Sequence, residues 1–381
     1  MNKYPLIGEG LAVGIILLFI GTAIIPSNGQ ITEKSSLPTS RGNWLYVGGS
    51  GPGNYSSIQK AIDAANDGDT VYVFPGAYFE NVIVNKSITL MGADKNTTIV
   101  DANHSGSCIT LDHQHTRMSG FTVQHSGNAT KNEYQDSGFL LPFGSYSPHN
   151  SEISDNIIKE NFDGIFLWEA HNYTISQNLI QDNTNCGVYI FAGGDSNRID
   201  HNIILNNGAQ GIRIDGDTSN YLNKVVSNFL DNNTNNGIIM SGYICNVTSN
   251  HISYSKTGVI VIGPYSQVIG NTVANNSLGL SLDQSMQAVV EENSFTNNTN
   301  DATFSYYLIF RLVLPFISWP QITKWRANYW DKHLSGPKLI IGRMTLCGIL
   351  QGYFPRSGFP WPNFDFTPVQ SPYPDVSRGG V

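Results

Sequence analysis

From residue 153 onward, apolar and polar positions alternate in short runs, such as Gly164-Ile-Phe-Leu-Trp168 and Gly211-Ile-Arg-Ile-Asp215. Period two marks half-buried strands, and no run has the period or length of a crossover helix. The runs repeat. Ile153-Ser-Asp-Asn-Ile-Ile158 returns as Ile175-Ser-Gln-Asn-Leu-Ile180, Ile199-Asp-His-Asn-Ile-Ile204 and Val225-Val-Ser-Asn-Phe-Leu230. Three further copies follow, and the central Asn falls at 156, 178, 202, 228, 250, 271 and 293, spaced by 21–26 residues. A second polar column lies at Asn161, Asn183, Asn207, Asn233, Ser255, Asn276 and Asn298. Shortly after it, Gly164, Gly187, Gly211, Gly237, Gly258 and Gly279 each begin a strand.

Strands recurring at that interval bury their apolar faces by stacking parallel on the equivalent strand one coil away, at about 4.8 Å. The predicted fold is all-β: a single-stranded parallel β-helix, a solenoid of 21–26-residue coils. Asn at equivalent corners can form side-chain ladders, and the column of Gly is expected to supply positive φ or a tight bend. Alternation points Ile165 and Leu167, Val188 and Ile190, Ile212 and Ile214 inward. Phe166, Tyr189 and Arg213, with Trp168, Phe191 and Asp215, then point outward. Tyr55–Ala65 reads as an amphipathic helix with Ile58, Ile62 and Ala65 on one stripe, suited to capping the open end of the coils. After Phe304 the Asn period stops and Pro, Trp and other aromatics take over. The expected plan is 1–30 signal peptide or membrane anchor, 31–43 linker and 44–116 cap and first coils. Regular repeats fill 117–303, and an irregular C-terminal cap spans 304–381.

Composition sharpens this. Of 381 residues 40 are Asn and 38 Gly, while 13% are charged, against roughly 25% in an average domain. A net charge of −8 without a Lys/Arg run excludes a basic nucleic-acid binder. With 40% hydrophobic residues a core is affordable, which argues against disorder. The Asn and Gly content argues against a helical bundle. The apolar run Gly10–Ile25 behind Lys3 suits export, by cleavage or by retention as an anchor, and ten Asn-x-Ser/Thr sequons agree with a place outside the cytoplasm. Membrane contact is expected only through that segment. Cys108, Cys186, Cys245 and Cys347 lack metal-site spacing and read as buried apolar residues.

Ser57-Ile-Gln-Lys-Ala-Ile-Asp-Ala-Ala65, Gly68-Asp-Thr-Val-Tyr-Val73 and Pro75-Gly-Ala-Tyr-Phe-Glu80 resemble the opening segment of the pectin-lyase-like superfamily of right-handed β-helices. The coils, with Asn328-Tyr-Trp-Asp331 and Gly336-Pro-Lys338, resemble the NosD-type family. That family includes periplasmic proteins assisting copper-enzyme maturation and many surface proteins of archaea. The ending Asn363-Phe-Asp-Phe-Thr-Pro-Val369 with Ser371-Pro-Tyr373 is similar to the tails of such surface proteins. The resemblance covers nearly the whole chain after its first segment and is specific for the fold. No catalytic motif of a lyase or hydrolase is matched.

Candidate chemistry lies on the outward columns. Phe166, Trp168, Tyr189 and Phe191, beside Arg213 and Asp215, suit the apolar faces and hydroxyl edges of sugars. The alternative is that a long loop such as 124–137, or the C-terminal segment, packs over them. Asp215, Arg213 and Glu169 are the candidates for catalysis on uronate or other polysaccharide, against a plain role as turn formers. The family raises copper, for which His113, His115 and Met118 offer nitrogen and sulfur on one expected face, although nine His can cluster by chance. The leading reading is an exported, cell-surface NosD-like protein binding an extended polysaccharide or surface glycan. Alternatives are a pectin-lyase-like lyase, epimerase or hydrolase, a copper-handling accessory and a surface-layer spacer. No cofactor follows from the sequence.

Overall fold

The computed structural model describes residues 42–374, except 132–133, 145–149, 217–220, 310–322, 333–335 and 348–358. The segment read as a signal or anchor lies outside the described residues. Among those described, no helix is long and apolar enough to cross a membrane.

The chain winds into a right-handed parallel β-helix. Each coil supplies one strand to each of three ladders. The first ladder runs from Trp44–Val47 through Glu152–Ser154, Thr174–Ser176 and Arg198–Asp200 to Phe359–Asp365. The second runs from Val82–Val84 through Asp163–Trp168, Val188–Phe191 and Ile212–Ile214 to Lys338–Cys347. The third runs from Gly76–Phe79 through Ile157–Lys159 and Leu179–Gln181 to Tyr329–Trp330. The inward residues read from the sequence form the core: Ile165, Leu167, Val188, Ile190, Ile212 and Ile214 are all fully buried.

The corner between the first and third ladders holds the Asn column. From Asn178 to Asn328, each side-chain oxygen accepts the backbone and side-chain N–H of the Asn one coil earlier, at 2.9–3.1 Å. The amide also donates to a backbone carbonyl of the previous coil, as Asn202 does to Ile175 at 2.8 Å. Asp365 closes the stack, accepting from the Asn328 backbone and side chain and from the Trp330 indole at 3.0–3.2 Å. The residue before each Asn carries the positive φ: Asp155, Gln177, His201, Ser227, Ser249, Gly270, Glu292 and Ala327 lie at 53–66°.

This corrects the expectation for the Gly column. Gly164, Gly187 and Gly211 do not adopt positive φ. They are small because coils touch there: a Cβ on Gly164 would lie 2.5 Å from the Gly187 carbonyl oxygen, and one on Gly187 2.7 Å from that of Gly211.

The helix forms over Ile58–Ala64 and buries Ile58, Ala61 and Ile62 against the first coils. The Glu80 carboxylate accepts from Ile58 and Gln59 N–H at 2.9 and 3.0 Å, and the Lys86 ammonium donates to the carbonyls of Ile62, Asp63 and Ala65 at 2.6–2.9 Å. Both charges suit the helix ends they occupy. At the other end the expected boundary at 304 falls inside the strand Asn300–Ile309, and the ladders continue to Lys338–Cys347, which pairs antiparallel with Phe359–Asp365. The Asn period stops in the sequence because 35 residues, not about 22, separate Asn293 from Asn328; the ladder bridges that insertion intact.

Truncating Asn228 to Ala leaves the Asn202 N–H and the Ile199 carbonyl without their partners. At about 1–3 kcal/mol for each orphaned buried group, the loss is roughly 2–6 kcal/mol. Asn232→Gly, at an exposed positive-φ corner, is expected to change little. Urea unfolding checks both, and an unshifted midpoint for Asn228→Ala would remove the ladder as a main source of stability.

Candidate functional site

The sequence-predicted aromatic residues do come together, on the outer face of the second ladder. Register places Phe166 beside Tyr189 and Trp168 beside Phe191, with Arg213 following Tyr189. Phe166 meets Tyr189 edge to face at 5.3 Å between ring centres, and Trp168 meets Phe191 at 4.7 Å. The Tyr189 hydroxyl donates to Asp215 Oδ2 at 2.9 Å, Arg213 Nε donates to Asp215 Oδ1 at 3.0 Å, and the guanidinium lies 4.5 Å from the centre of the Tyr189 ring.

The patch is less open than alternation implies. Phe166 and Tyr189 are only 2% and 5% exposed, in a second small core with Leu140 and Cys186. Part of the 124–137 segment supplies the flank: the pair Thr130–Lys131 and Tyr134–Gln135 lies beside the strand Asp163–Trp168, and Asn185 donates to Gln135 Oε1 at 3.4 Å. The described C-terminal strands belong to the other end of the solenoid and are not the cover. What remains accessible is an edge made by Phe143, Trp168 and Phe191, with Phe143 ring-to-ring against Trp168 at 5.0 Å.

The three candidate catalytic residues are not assembled as one group. Arg213 and Asp215 are committed to each other. Glu169 is exposed on a positive-φ turn, where its N–H bonds the Phe191 carbonyl, and among the described residues no bond or ion pair joins it to the other two. The metal candidates are also separated. His115 occupies an exposed positive-φ turn, His113 bonds Ser87 Oγ at 3.1 Å, and Met118 points into the core between Leu90 and Ile153. Alternation failed there because the strand ends at Leu111 and the histidines lie on a turn.

Two further features lie near these residues and along the third ladder. Behind the aromatic residues, the fully buried Asp163 accepts from Cys186 N–H at 2.8 Å and Asn185 Nδ2 at 2.9 Å, while its Oδ2 has no partner among the described residues. Burial pushes its carboxyl up to about 7, and burial likewise pushes the Cys186 thiol up to about 12. On the third ladder's side, a cleft of about 470 Å³ is lined by His104, His125, Glu160, Phe162 and Asp182. His125 Nδ1 lies 2.8 Å from Asp101 and Nε2 2.8 Å from Glu160. Burial alone would lower its pKa, but the two carboxylates outweigh this and raise it. No short motif marks His125; only its place in the corner column between two acids could have found it.

Asp163 has its pKa raised on folding, so its stabilising contribution is present below about pH 4 and is lost as pH rises through about 7. The wild-type Tm relative to Asp163→Asn is therefore expected to fall between pH 4 and 8, read by calorimetry across that range. A constant difference would show that Asp163 ionises as freely in the fold as in the unfolded chain.

A family model described as periplasmic copper-binding protein (NosD) matches residues 27–224 and 204–308. The cell surface glycoprotein of Methanothermus fervidus is 28% identical over 287 residues, covering 60% of this chain and 47% of that protein. The chain thus spans about half the length of this curated relative. Among solved structures, the catalytic unit of a thermostable GH87 α-1,3-glucanase from Streptomyces thermodiastaticus aligns with a TM-score of 0.56 at 15% identity, over 78% of this chain and 61% of that one. The A-module of a mannuronan C-5 epimerase from Azotobacter vinelandii aligns at 0.49 and 14%, over 76% and 82%. The likeness to the glucanase shows the fold alone. Copper would require nitrogen and sulfur donors converging on one point. Among the described residues no three His, Cys, Asp or Glu side chains are so placed, and both His125 nitrogens are taken by carboxylates. That donor set does not fit the ion. Matched by its family model over residues 27–308 and coiled as the repeat requires, the chain belongs to the NosD family.

Proposed function

We propose that this protein acts at the cell surface and binds an extended glycan along the outer face of the second ladder. The observation that carries the reading is the accessible Phe143–Trp168–Phe191 edge beside the Arg213–Asp215 pair. An aromatic edge next to fixed charged hydrogen-bonding groups suits a sugar ring. The same outer face continues into a cleft of about 410 Å³ near its far end, lined by Ile262, Ser281, Asp283, Ser305 and Arg343. Phe191 and Asp283 are four coils apart on equivalent positions, roughly 19 Å at about 4.8 Å per coil, so one chain laid along the solenoid axis can reach both. Parallel stacking makes this direction a row of regularly spaced side chains, which favours a linear polymer over a compact ligand. The surface location draws on the cell-surface relative.

The test is binding of purified protein to a panel of soluble cell-wall and extracellular polysaccharides by affinity electrophoresis. Trp168→Ala with Phe191→Ala is expected to weaken the positive interaction roughly 10- to 100-fold, at about 1.4 kcal/mol per decade. Both rings are half-buried at the surface, so the fold should survive, as checked by an unchanged circular dichroism spectrum. Equal mobility shifts for the variant and the wild type would sink the proposal.

A further inference from the structure

The first coils carry an aromatic surface that the glycan reading does not use. On the outer face of the first ladder, Trp44 and Tyr46 are 51% and 41% exposed, and Tyr72 and Phe74 are half-buried beside them. The four rings touch one another at 5.3–6.3 Å between centres. Backbone alternation makes this surface unavoidable: Leu45, Val47, Val71 and Val73 take the inward positions, so the aromatic residues between them must face out. The remaining outward residues of these coils are Thr70, Thr89 and Met91, paired in register with the aromatic strands. The first charged outward residue on this ladder is Arg117, in its fourth strand, and Glu152 follows. Over three coils the face is apolar and aromatic without charge.

The chain leading to this face supplies the second observation. Forty-one residues precede Gly42 and include the 16-residue apolar run Gly10–Ile25. Only sixteen residues lie between Ile25 and Gly42, a reach of at most roughly 60 Å when fully extended. If that run is held in lipid, the first coil lies within that reach of the bilayer surface. Trp and Tyr are the residues enriched where a bilayer meets water, because their rings prefer the headgroup zone. A sugar would need amide, guanidinium or carboxylate groups at the ring edges, as at Trp168; this face has none until Arg117.

We propose that the Trp44–Tyr46–Tyr72–Phe74 face lies against the headgroup zone of a lipid bilayer, so that the first coils rest on the membrane. The contact is interfacial and shallow, and no strand of this face crosses the bilayer.

The test uses the full chain reconstituted with phosphatidylcholine–phosphatidylglycerol vesicles carrying bromine on the acyl chains near the headgroups. Tryptophan emission is expected to be quenched in the wild type, with the quenched component largely lost in Trp44→Phe. A second variant, Tyr46→Ser with Tyr72→Ser, should reduce the quenching of Trp44 while leaving circular dichroism and Tm unchanged. Emission that brominated lipid leaves untouched overturns the proposal, whether or not the chain floats with the vesicles. Quenching equal in wild type and Trp44→Phe overturns it too, since the signal then comes from another tryptophan. A Trp44 signal that responds to soluble polysaccharide instead of vesicles identifies a second glycan platform. A lipid-independent dimer abolished by the double Ser variant identifies a second copy of the chain; either result replaces the bilayer as occupant.

Discussion

A buried side-chain amide at each corner, bonded to its equivalent one coil away, is the interaction on which this structure depends. An amide placed inside a protein must satisfy two donors and an acceptor or cost stability. Here the next coil's Asn and the previous coil's carbonyl do so together, but only if coils repeat at strand spacing and in strict register. The positive-φ residue before each Asn aims the amide inward, and the glycines let the second ladder's backbones approach. Where the second column substitutes Ser255 for Asn, the shorter side chain cannot reach: its N–H still bonds Asn276, yet its hydroxyl is buried without a partner among the described residues. The fold tolerates one such interruption because the neighbouring column is complete at that coil, from Asn228 to Asn250 to Asn271.

Fixing the interior and the corners in this way leaves the outward columns unconstrained by folding. Function can therefore vary along the outside without disturbing the coils. The second ladder shows how. Phe166 and Tyr189 form an inner layer, with Tyr189 held by Asp215, and Trp168 and Phe191 form the layer that solvent reaches. The inner pair fixes the outer pair's position, as a rigid binding edge requires. Asp163 and Cys186 lie beneath this layer, both buried from solvent.

The architecture was readable because it is periodic. Seven Asn at matching offsets, with Ile or Val three residues before and Ile, Val, Leu or Phe two after, leave one parallel arrangement open. The helix over Ile58–Ala64 was readable for the same reason, from its apolar stripe. The Gly column was assigned the wrong cause, because a sequence shows that a residue is small without showing whether a dihedral or a neighbour demands it. The aromatic residues on the second ladder were placed outward, with cover by the 124–137 loop or the C-terminal segment as the alternative, since period two says nothing of what crosses the face. His113 and His115 failed because alternation was carried past the end of a strand. The Trp44 face and the His125 corner were missed because they sit in the less regular first coils, where repeat alignment had not yet fixed the columns.

Stacking also explains why so few charged residues occur. Every outward position has an equivalent about 4.8 Å away on each side, so a repeated charge would repel itself along the whole solenoid. Charges are therefore placed with the opposite sign in the adjacent coil: Arg117 opposite Glu152, Glu291 opposite Arg326, and Asp101, His125 and Glu160 in alternation down one corner. Arg198 opposite Lys224 breaks the rule, and there Arg198 turns to Asp200 on its own strand. A protein built this way gains little from surface charge and must recognise partners by what stacks well, aromatic rings and amides. That constraint accounts for the aromatic character of both outer faces singled out above, and it makes two like charges in register a place where a counter-charge outside the register is needed, as Asp200 supplies for Arg198.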